Sequence, residues 1–301
     1  MNALAGTIVA IDGVIVTPER ATVSVFDRGF LYGDAVFEVF RTYRGVPFGL
    51  SEHLARLRRS AALMHIPVPI DERTLSSEIA QALEAALTPD PSGDVYARLM
   101  LTRGTGPMGL DPDLASVPLR VLVVAPVAPP RRDAYARGVG AALVATTRAI
   151  DGTSAVGAKV TSYLAAILAV REAKARGAAE ALIVDRHGNV VEGATSNVMI
   201  VKDGALSTPP ESAGILAGVT RAYVLDAARA RGIATSLVPL VPDDLFAADE
   251  VFVTSSIREV LPVVTIDGRT IAAGAPGPIT RQLHRDLRAR AGVPDLPMPW
   301  D

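Results

Sequence analysis

Pro126-Val127-Ala128-Pro129-Pro130 divides this chain more sharply than any other segment. Its prolines fix φ and remove backbone donors, so the stretch can continue neither a helix nor a sheet interior. A chain of 301 residues is long enough for two modest domains. The expected organisation is a small N-terminal domain over 1–125, a linker over 126–131 and a larger C-terminal domain over 132–301.

On the N-terminal side, Thr7–Ile11 and Val14–Val16 flank Asp12-Gly13, a pair that supplies the positive φ of a tight hairpin turn. Val36–Arg41 and a turn at Arg44-Gly45 repeat the scheme. Apolar residues at helical spacing (Leu54, Leu57, Ala61, Met64) predict a helix from Leu50 to Met64 with Ser51 as its N-cap. A second helix is expected from about Asp71 to Leu87, ended by the polar loop 88–93, with strands at 95–102 and 119–125. Beyond the prolines, strands are expected near 139–146, 181–185, 190–192 and 197–201, and helices at 161–176, 218–231 and 279–291. The fold class is α+β grading into mixed α/β.

Composition excludes several kinds of chemistry. Apolar residues make up 49% of the chain and the net charge is −2, so it reads as globular, with no basic field for nucleic acid. The absence of cysteine rules out disulfides, thiolate metal sites and cysteine nucleophiles. Four histidines (53, 65, 187, 284) lack ligand spacing, so no metal site is expected. Met-Asn-Ala-Leu-Ala-Gly carries no positive leader region, and no apolar run approaches the ~20 residues that span a bilayer. A cytoplasmic location without membrane contact is the expectation. Gly104-Thr105-Gly106-Pro107-Met108-Gly109 has the glycine spacing of a dinucleotide loop, but Leu110-Asp111-Pro112-Asp113 breaks the helix that must follow.

The reactive chemistry centres on Lys159, in Ala-Lys-Val-Thr-Ser-Tyr-Leu (158–164). An apolar frame on both sides favours the neutral amine, the form that attacks an aldehyde. Glu192 follows in Val-Glu-Gly-Ala-Thr-Ser-Asn (191–197), an acid in an apolar strand where a carboxylate needs a partner. A Schiff-base lysine with an acid that can hold a pyridine nitrogen protonated is what pyridoxal phosphate chemistry requires. Ser196 and Asn197 add hydrogen-bonding groups. Gly214–Gly218 feeds a helix whose amino end, at Val219 and Thr220, suits a phosphate. Lastly, Glu250–Thr254 reads as a buried strand delivering Thr254, Ser255 and Ser256 at its carboxyl end.

Together these segments resemble the class IV aminotransferases, the pyridoxal phosphate enzymes of fold type IV. The resemblance runs from Asp27-Arg28-Gly29-Phe30-Leu31-Tyr32-Gly33-Asp34 to Gly277-Pro278-Ile279-Thr280. It implies a two-domain fold with a small N-terminal and a larger C-terminal domain, pyridoxal 5'-phosphate between them, and a homodimer that completes the sites. It further implies Lys159 as the Schiff-base lysine and Glu192 on the pyridine nitrogen. Arg56, Val219, Thr220 and Ser256 fall to the phosphate, with Ser196, Asn197, Ser255 and Tyr163 nearby. The implied reaction moves an amino group from an amino acid to a 2-keto acid by ping-pong turnover.

Substrate signatures point in more than one direction. Tyr32, Phe37 and Tyr96-x-Arg98 are similar to branched-chain enzymes. Tyr163 lies four positions after Lys159, one fewer than in those enzymes, and Ser255-Ser256 stands where they carry Gly-Thr. The shorter spacing resembles the D-amino acid transaminase and lyase groups, and Ser255-Ser256 is closer to D-amino acid transaminases. Those in turn carry an Arg-x-His carboxylate trap where this chain has Met108-Gly109-Leu110. Arg28, Arg98 and Arg103 become the candidate carboxylate anchors, with Ile257 as a further pocket residue. The expectation leans to a D-amino acid transaminase of relaxed specificity, extending to (R)-amines. Alternatives are a branched-chain L-amino acid aminotransferase, an aminodeoxychorismate lyase and a non-catalytic pyridoxal phosphate-binding protein.

Overall fold

A computed structural model describes residues 4–90, 93–147 and 151–301; Met1–Ala3 of the amino end, and Pro91 and Ser92 of the polar loop, lie outside them. The chain forms two compact units. The first comprises Met1–Ala128 and Gly152–Ser162, the second Pro129–Asp151 and Tyr163–Asp301.

The first unit contains β1 (Ile8–Ile11), β2 (Val14–Val16), α1 (Arg28–Tyr32), β3 (Ala35–Tyr43), β4 (Val46–Pro47), α2 (Leu50–Leu63), α3 (Glu72–Leu87), β5 (Val95–Thr102) and β6 (Leu119–Pro126). Its six strands form an antiparallel sheet in the order β2-β1-β6-β5-β3-β4. The hairpin turn is as its residues dictate, with positive φ at Asp12 (47°) and Gly13 (83°). Leu75, Ile79, Ala82 and Leu83 form a buried stripe at helical spacing that packs α3 on β1, β5 and β6, while α2 lies on β3. Gly49, not Ser51, caps α2; it adopts φ 65°, and Ser51 sits inside the first turn with its hydroxyl donating to Glu52 Oε2 at 2.7 Å.

Residues 152–162 group with this unit, whereas a boundary at 126–131 would assign them to the second. The reason is backbone pairing: Val160 bridges Val36, and the Phe37 amide donates to the Lys159 carbonyl at 2.9 Å. The next helix starts at Leu164 and not at 161; Val160 and Thr161 are held instead against the start of β3, the Thr161 amide donating to the Ala35 carbonyl at 3.0 Å.

In the second unit are α4 (Arg132–Ala136), β7 (Val139–Ala145), α5 (Leu164–Ala175), β8 (Glu180–Val184), β9 (Val190–Gly193), β10 (Asn197–Lys202), β11 (Ala205–Thr208), α6 (Val219–Ala230), β12 (Thr235–Leu237), α7 (Pro242–Ala247), β13 (Glu250–Ser255), β14 (Glu259–Ile266), β15 (Arg269–Thr270) and α8 (Pro278–Arg290). Its mixed sheet runs β12-β11-β10-β13-β14-β7-β8-β9, with β15 beside β14. The last strand returns to β10 through a Gly193–Ser196 bridge, so the sheet curls on itself. One sheet face buries Val198, Ile200, Val251, Val253, Leu261 and Val263 in a shared core. The sequence pattern did not announce β11, β12, β14 or α7; β14 carries Pro262, which reads as a breaker, and α7 is only six residues long. Among the described residues no helix is long and apolar enough to cross a membrane, and no cluster of His, Cys, Asp or Glu is arranged to hold a metal ion.

Candidate active site

In the first unit, Lys159 is half-buried between buried Ala158 and Val160. Its backbone is pinned on both sides, since its amide donates to Ser60 Oγ at 3.0 Å and its carbonyl accepts from Phe37. These two bonds fix the backbone of the lysine beside β3. Its Nζ lies 4.6 Å from the centre of the buried Phe37 ring, and the Arg98 guanidinium lies 3.9 Å from the same ring. The Phe37 ring thus lies against both basic side chains.

Arg56 is buried on α2 and grips Glu38 of β3 through Nε to Oε1 and Nη2 to Oε2, both at 2.7 Å. His53 Nδ1 meets Glu38 Oε2 at 2.8 Å. Burial alone would push the Glu38 carboxyl up; the hydrogen bonds and charge of Arg56, aided by His53, outweigh it and hold it down at about 2. Burial also drives the His53 imidazole below its ordinary value, against the pull of Glu38.

Of the three carboxylate candidates, Arg28 and Arg103 share one carboxylate, Asp34. Arg28 donates Nε to Asp34 at 3.0 Å, Nη1 to the Gly109 carbonyl at 2.7 Å and Nη2 to the Leu110 carbonyl at 3.3 Å. Arg103 grips Asp34 and donates to the Met64 and His65 carbonyls at 2.8 Å each. Both are buried, and both serve to tie loops to a single carboxylate. Arg98 is half-buried on β5, in the alternating row with Tyr96 and Met100. Tyr32 is exposed on α1, its hydroxyl accepting from the Gly109 amide at 3.1 Å, and Met108 is exposed.

In the second unit, Glu192 on β9 accepts the Leu216 amide at Oε2 (3.1 Å), and Asn197 Nδ2 donates to the Leu216 carbonyl at 2.9 Å. These two side chains clamp Leu216 at both its amide and its carbonyl, immediately before α6. A Cβ at Gly218 would come 1.9 Å from Asn197 Oδ1, so only bare backbone fits there. Gly218 is the N-cap of α6 and no side chain caps the helix. Val219 and Thr220 open that helix, both buried, and their amide end carries the positive pole of the dipole. On β13, Thr254 pairs in register with Asn197, and its buried hydroxyl has no hydrogen-bond partner. Ser255 ends β13, Ser256 and Ile257 lie in the turn that follows, and all three are half-buried. Tyr163 immediately precedes α5 and is half-buried.

Two other hydroxyls of this group have assigned partners: Ser196 Oγ donates to Glu180 Oε2 at 3.1 Å, and Ser255 Oγ accepts the Arg258 amide and Nε, each at 3.3 Å. Glu180 and Arg258 form a salt bridge, and neither stands out from sequence. An acid and a base 78 positions apart carry no local signal of their pairing.

The family model for amino-transferase class IV matches residues 35–266. The chain belongs to the class IV aminotransferases. It is 37% identical over 280 residues to the D-alanine aminotransferase of Listeria monocytogenes, spanning 92% of this chain and 93% of the relative. The branched-chain-amino-acid aminotransferase of Pseudomonas aeruginosa is 33% identical, with 91% and 89% coverage. A solved branched-chain amino acid aminotransferase from T.th., with pyridoxamine 5'-phosphate, superposes at a TM-score of 0.84, with 31% identity and coverage of 95% and 94%. This class IV aminotransferase is accordingly a transaminase with the type IV fold.

Proposed function

We propose that this class IV aminotransferase uses pyridoxal 5'-phosphate held at Lys159 to move an amino group between an amino acid and a 2-keto acid, with D-amino acids as the preferred donors. The observation that carries the cofactor assignment is Lys159 itself, pinned at its amide and carbonyl and set in an apolar frame beside Phe37. The remaining donor set suits the same group. The uncapped amino end of α6, with Thr220, suits a dianionic phosphate, and the orphaned Thr254 hydroxyl lies on the strand position paired with Asn197. When bound, the cofactor supplies an aldehyde that condenses with amines and a ring that accepts the electron pair released at the substrate carbon.

The protein's own residues do the rest. Lys159 takes the proton from the substrate carbon and returns it at the other end of the transfer. Glu192 supplies the carboxylate that keeps a ring nitrogen protonated, itself oriented by the Leu216 amide. By the family resemblance, Arg56, locked by Glu38, and the α6 amides would hold the phosphate. Arg98, whose guanidinium lies against the same Phe37 ring as the Lys159 amine, is assigned to the substrate carboxylate.

The D-amino acid preference rests on the four-residue step from Lys159 to Tyr163 and on Thr254-Ser255-Ser256, together with the likeness to the Listeria enzyme. Phe37 and Tyr96-x-Arg98 favour a second reading, a branched-chain L-amino acid aminotransferase. Half-reactions with D-alanine, L-leucine and (R)-phenylethylamine, followed by the loss of the cofactor's visible absorbance, separate the two. D-Alanine is expected to bleach it; bleaching by L-leucine alone overturns the preference. Lys159→Ala is expected to remove the visible band and all transamination, and a band that survives overturns the cofactor assignment.

The same proposal includes a homodimer. Phe26, Phe30, Met108 and Leu110 are exposed together, because the Gly106 amide donates to the Phe26 carbonyl and Arg28 holds the Gly109 and Leu110 carbonyls. A monomer rarely leaves such a patch in water. Sedimentation of the purified protein is expected to give twice the chain mass, and Phe30→Asp to shift it towards one.

A further inference from the structure

Resting on the cofactor assignment above, we infer that Arg258 and Glu180 form a positioning pair that holds the Glu192-bearing hairpin and the hydroxyl-bearing turn after β13 in the arrangement needed to bind pyridoxal phosphate. Arg258 follows Thr254-Ser255-Ser256-Ile257 directly, and each of its polar groups is anchored. Nη1 bonds to Glu180 Oε2, Nη2 donates to Thr195 Oγ1 at 2.7 Å, and Nε donates to Ser255 Oγ at 3.3 Å. Its amide also donates to Ser255 Oγ, and its carbonyl accepts the Tyr135 hydroxyl at 3.1 Å. One guanidinium therefore touches the start of β8, the turn after β9 and the end of β13.

Glu180 completes the tie from the other side. It is 2% exposed and accepts the Ala181 amide at Oε1 (2.9 Å) and the Ser196 hydroxyl at Oε2. The hairpin closes over it so tightly that a Cβ at Gly193 would lie 2.0 Å from Ser196 Oγ and 3.3 Å from Glu180 Cδ. Gly193 is the residue next to Glu192, and Ser196 the residue before Asn197. Through Arg258 and Glu180, the two segments that carry the cofactor groups of this unit share one rigid junction. A planar fork spreads its donors across three segments in a fixed geometry that a single ammonium nitrogen does not reproduce.

The pair is a positioning device, so cofactor affinity must respond separately from folding. Cofactor-free protein titrated with pyridoxal phosphate gives the dissociation constant, and its melting temperature reports the fold. Arg258→Lys keeps a positive charge by Glu180 but loses the fork; it is expected to raise the dissociation constant about tenfold with the cofactor-free melting temperature little changed. Glu180→Gln with Arg258→Met removes both charges of the pair and is expected to weaken the cofactor at least as much. Thr195→Val, at an exposed site that does not endanger the fold, should raise the constant about threefold by removing one tie. Wild-type affinity in these three variants overturns the inference and leaves the pair as packing alone. A wild-type protein that takes up no pyridoxal phosphate in a Lys159-dependent way overturns the cofactor assignment instead, a result visible before any of the three is compared.

Discussion

Glu38 in the first unit and Glu259 in the second each hold one histidine and one arginine away from water. Glu38 is fully buried with His53 and Arg56; Glu259 is 1% exposed with His284 and Arg288. In both, burial would raise the carboxyl, but the partners outweigh it and hold it at about 2. The difference lies in how the arginine is used. Arg56 gives Glu38 two bonds of 2.7 Å across a strand and a helix. Arg288 gives Glu259 one of 2.9 Å and a longer one of 3.5 Å, and turns Nη1 to the Pro297 carbonyl at 2.7 Å. The first cluster is a clamp beside Lys159. The second binds the chain's end: Trp300 stands edge-on to His284, which also contacts Tyr135. Glu259 also holds φ at 56°, a left-handed backbone that a side chain other than glycine adopts only under restraint. The same three residue types thus fix the arginine assigned to the phosphate in one place and a strained turn in the other.

The largest expected effect is that of Glu38→Gln. It leaves Arg56 buried without its counter-charge, which should cost roughly 3–5 kcal/mol in urea unfolding and weaken the cofactor along with it. Wild-type cofactor affinity in that variant would break the contrast between the clusters. Next comes acid. Both carboxyls are depressed from 4.5 to about 2, so each contributes stability that is complete above pH 4.5 and is lost as pH falls towards 2. Each contribution is bounded at roughly 3 kcal/mol. His53 has a lowered value, so its share is present above 6.5 and begins to be lost below that. Unfolding free energy measured against pH should therefore begin to decline below 6.5, and His53→Gln should remove that early part. The smallest effect is Trp300→Ala: for a half-buried ring, about 2 kcal/mol of stability, with KM and cofactor affinity unchanged. A changed cofactor affinity in Trp300→Ala would show that the two clusters are not separate in function.

Much of the fold could be read along the chain, because hairpin turns and helical stripes are local. Asp12-Gly13 and Leu75-Ile79-Ala82-Leu83 behaved as their types require. What escaped was set by partners distant in sequence. Residues 160–161 are held against the start of β3, so the helix begins only at Leu164, and Ser51 lost the cap to a glycine able to take positive φ. At the candidate site, Lys159, Glu192 and the amino end of α6 stand out because few other residue types suit the chemistry proposed for them. Arg28 and Arg103 look equally available as anchors in the sequence, and only the fold shows Asp34 engaging both. Charges that find each other across 69 or 78 positions look like ordinary surface charges in a sequence.

The pairing of Val160 with Val36 has a bearing on how the protein is made. The first unit lacks its last piece until residue 162 has left the ribosome, and the Phe37 amide awaits a Lys159 carbonyl some 122 residues (159 − 37) further on. A nascent chain halted after Ala128 would expose that edge of β3 and carry no reactive lysine there, so maturation of the lysine's setting is deferred until the polypeptide has begun the second unit and come back.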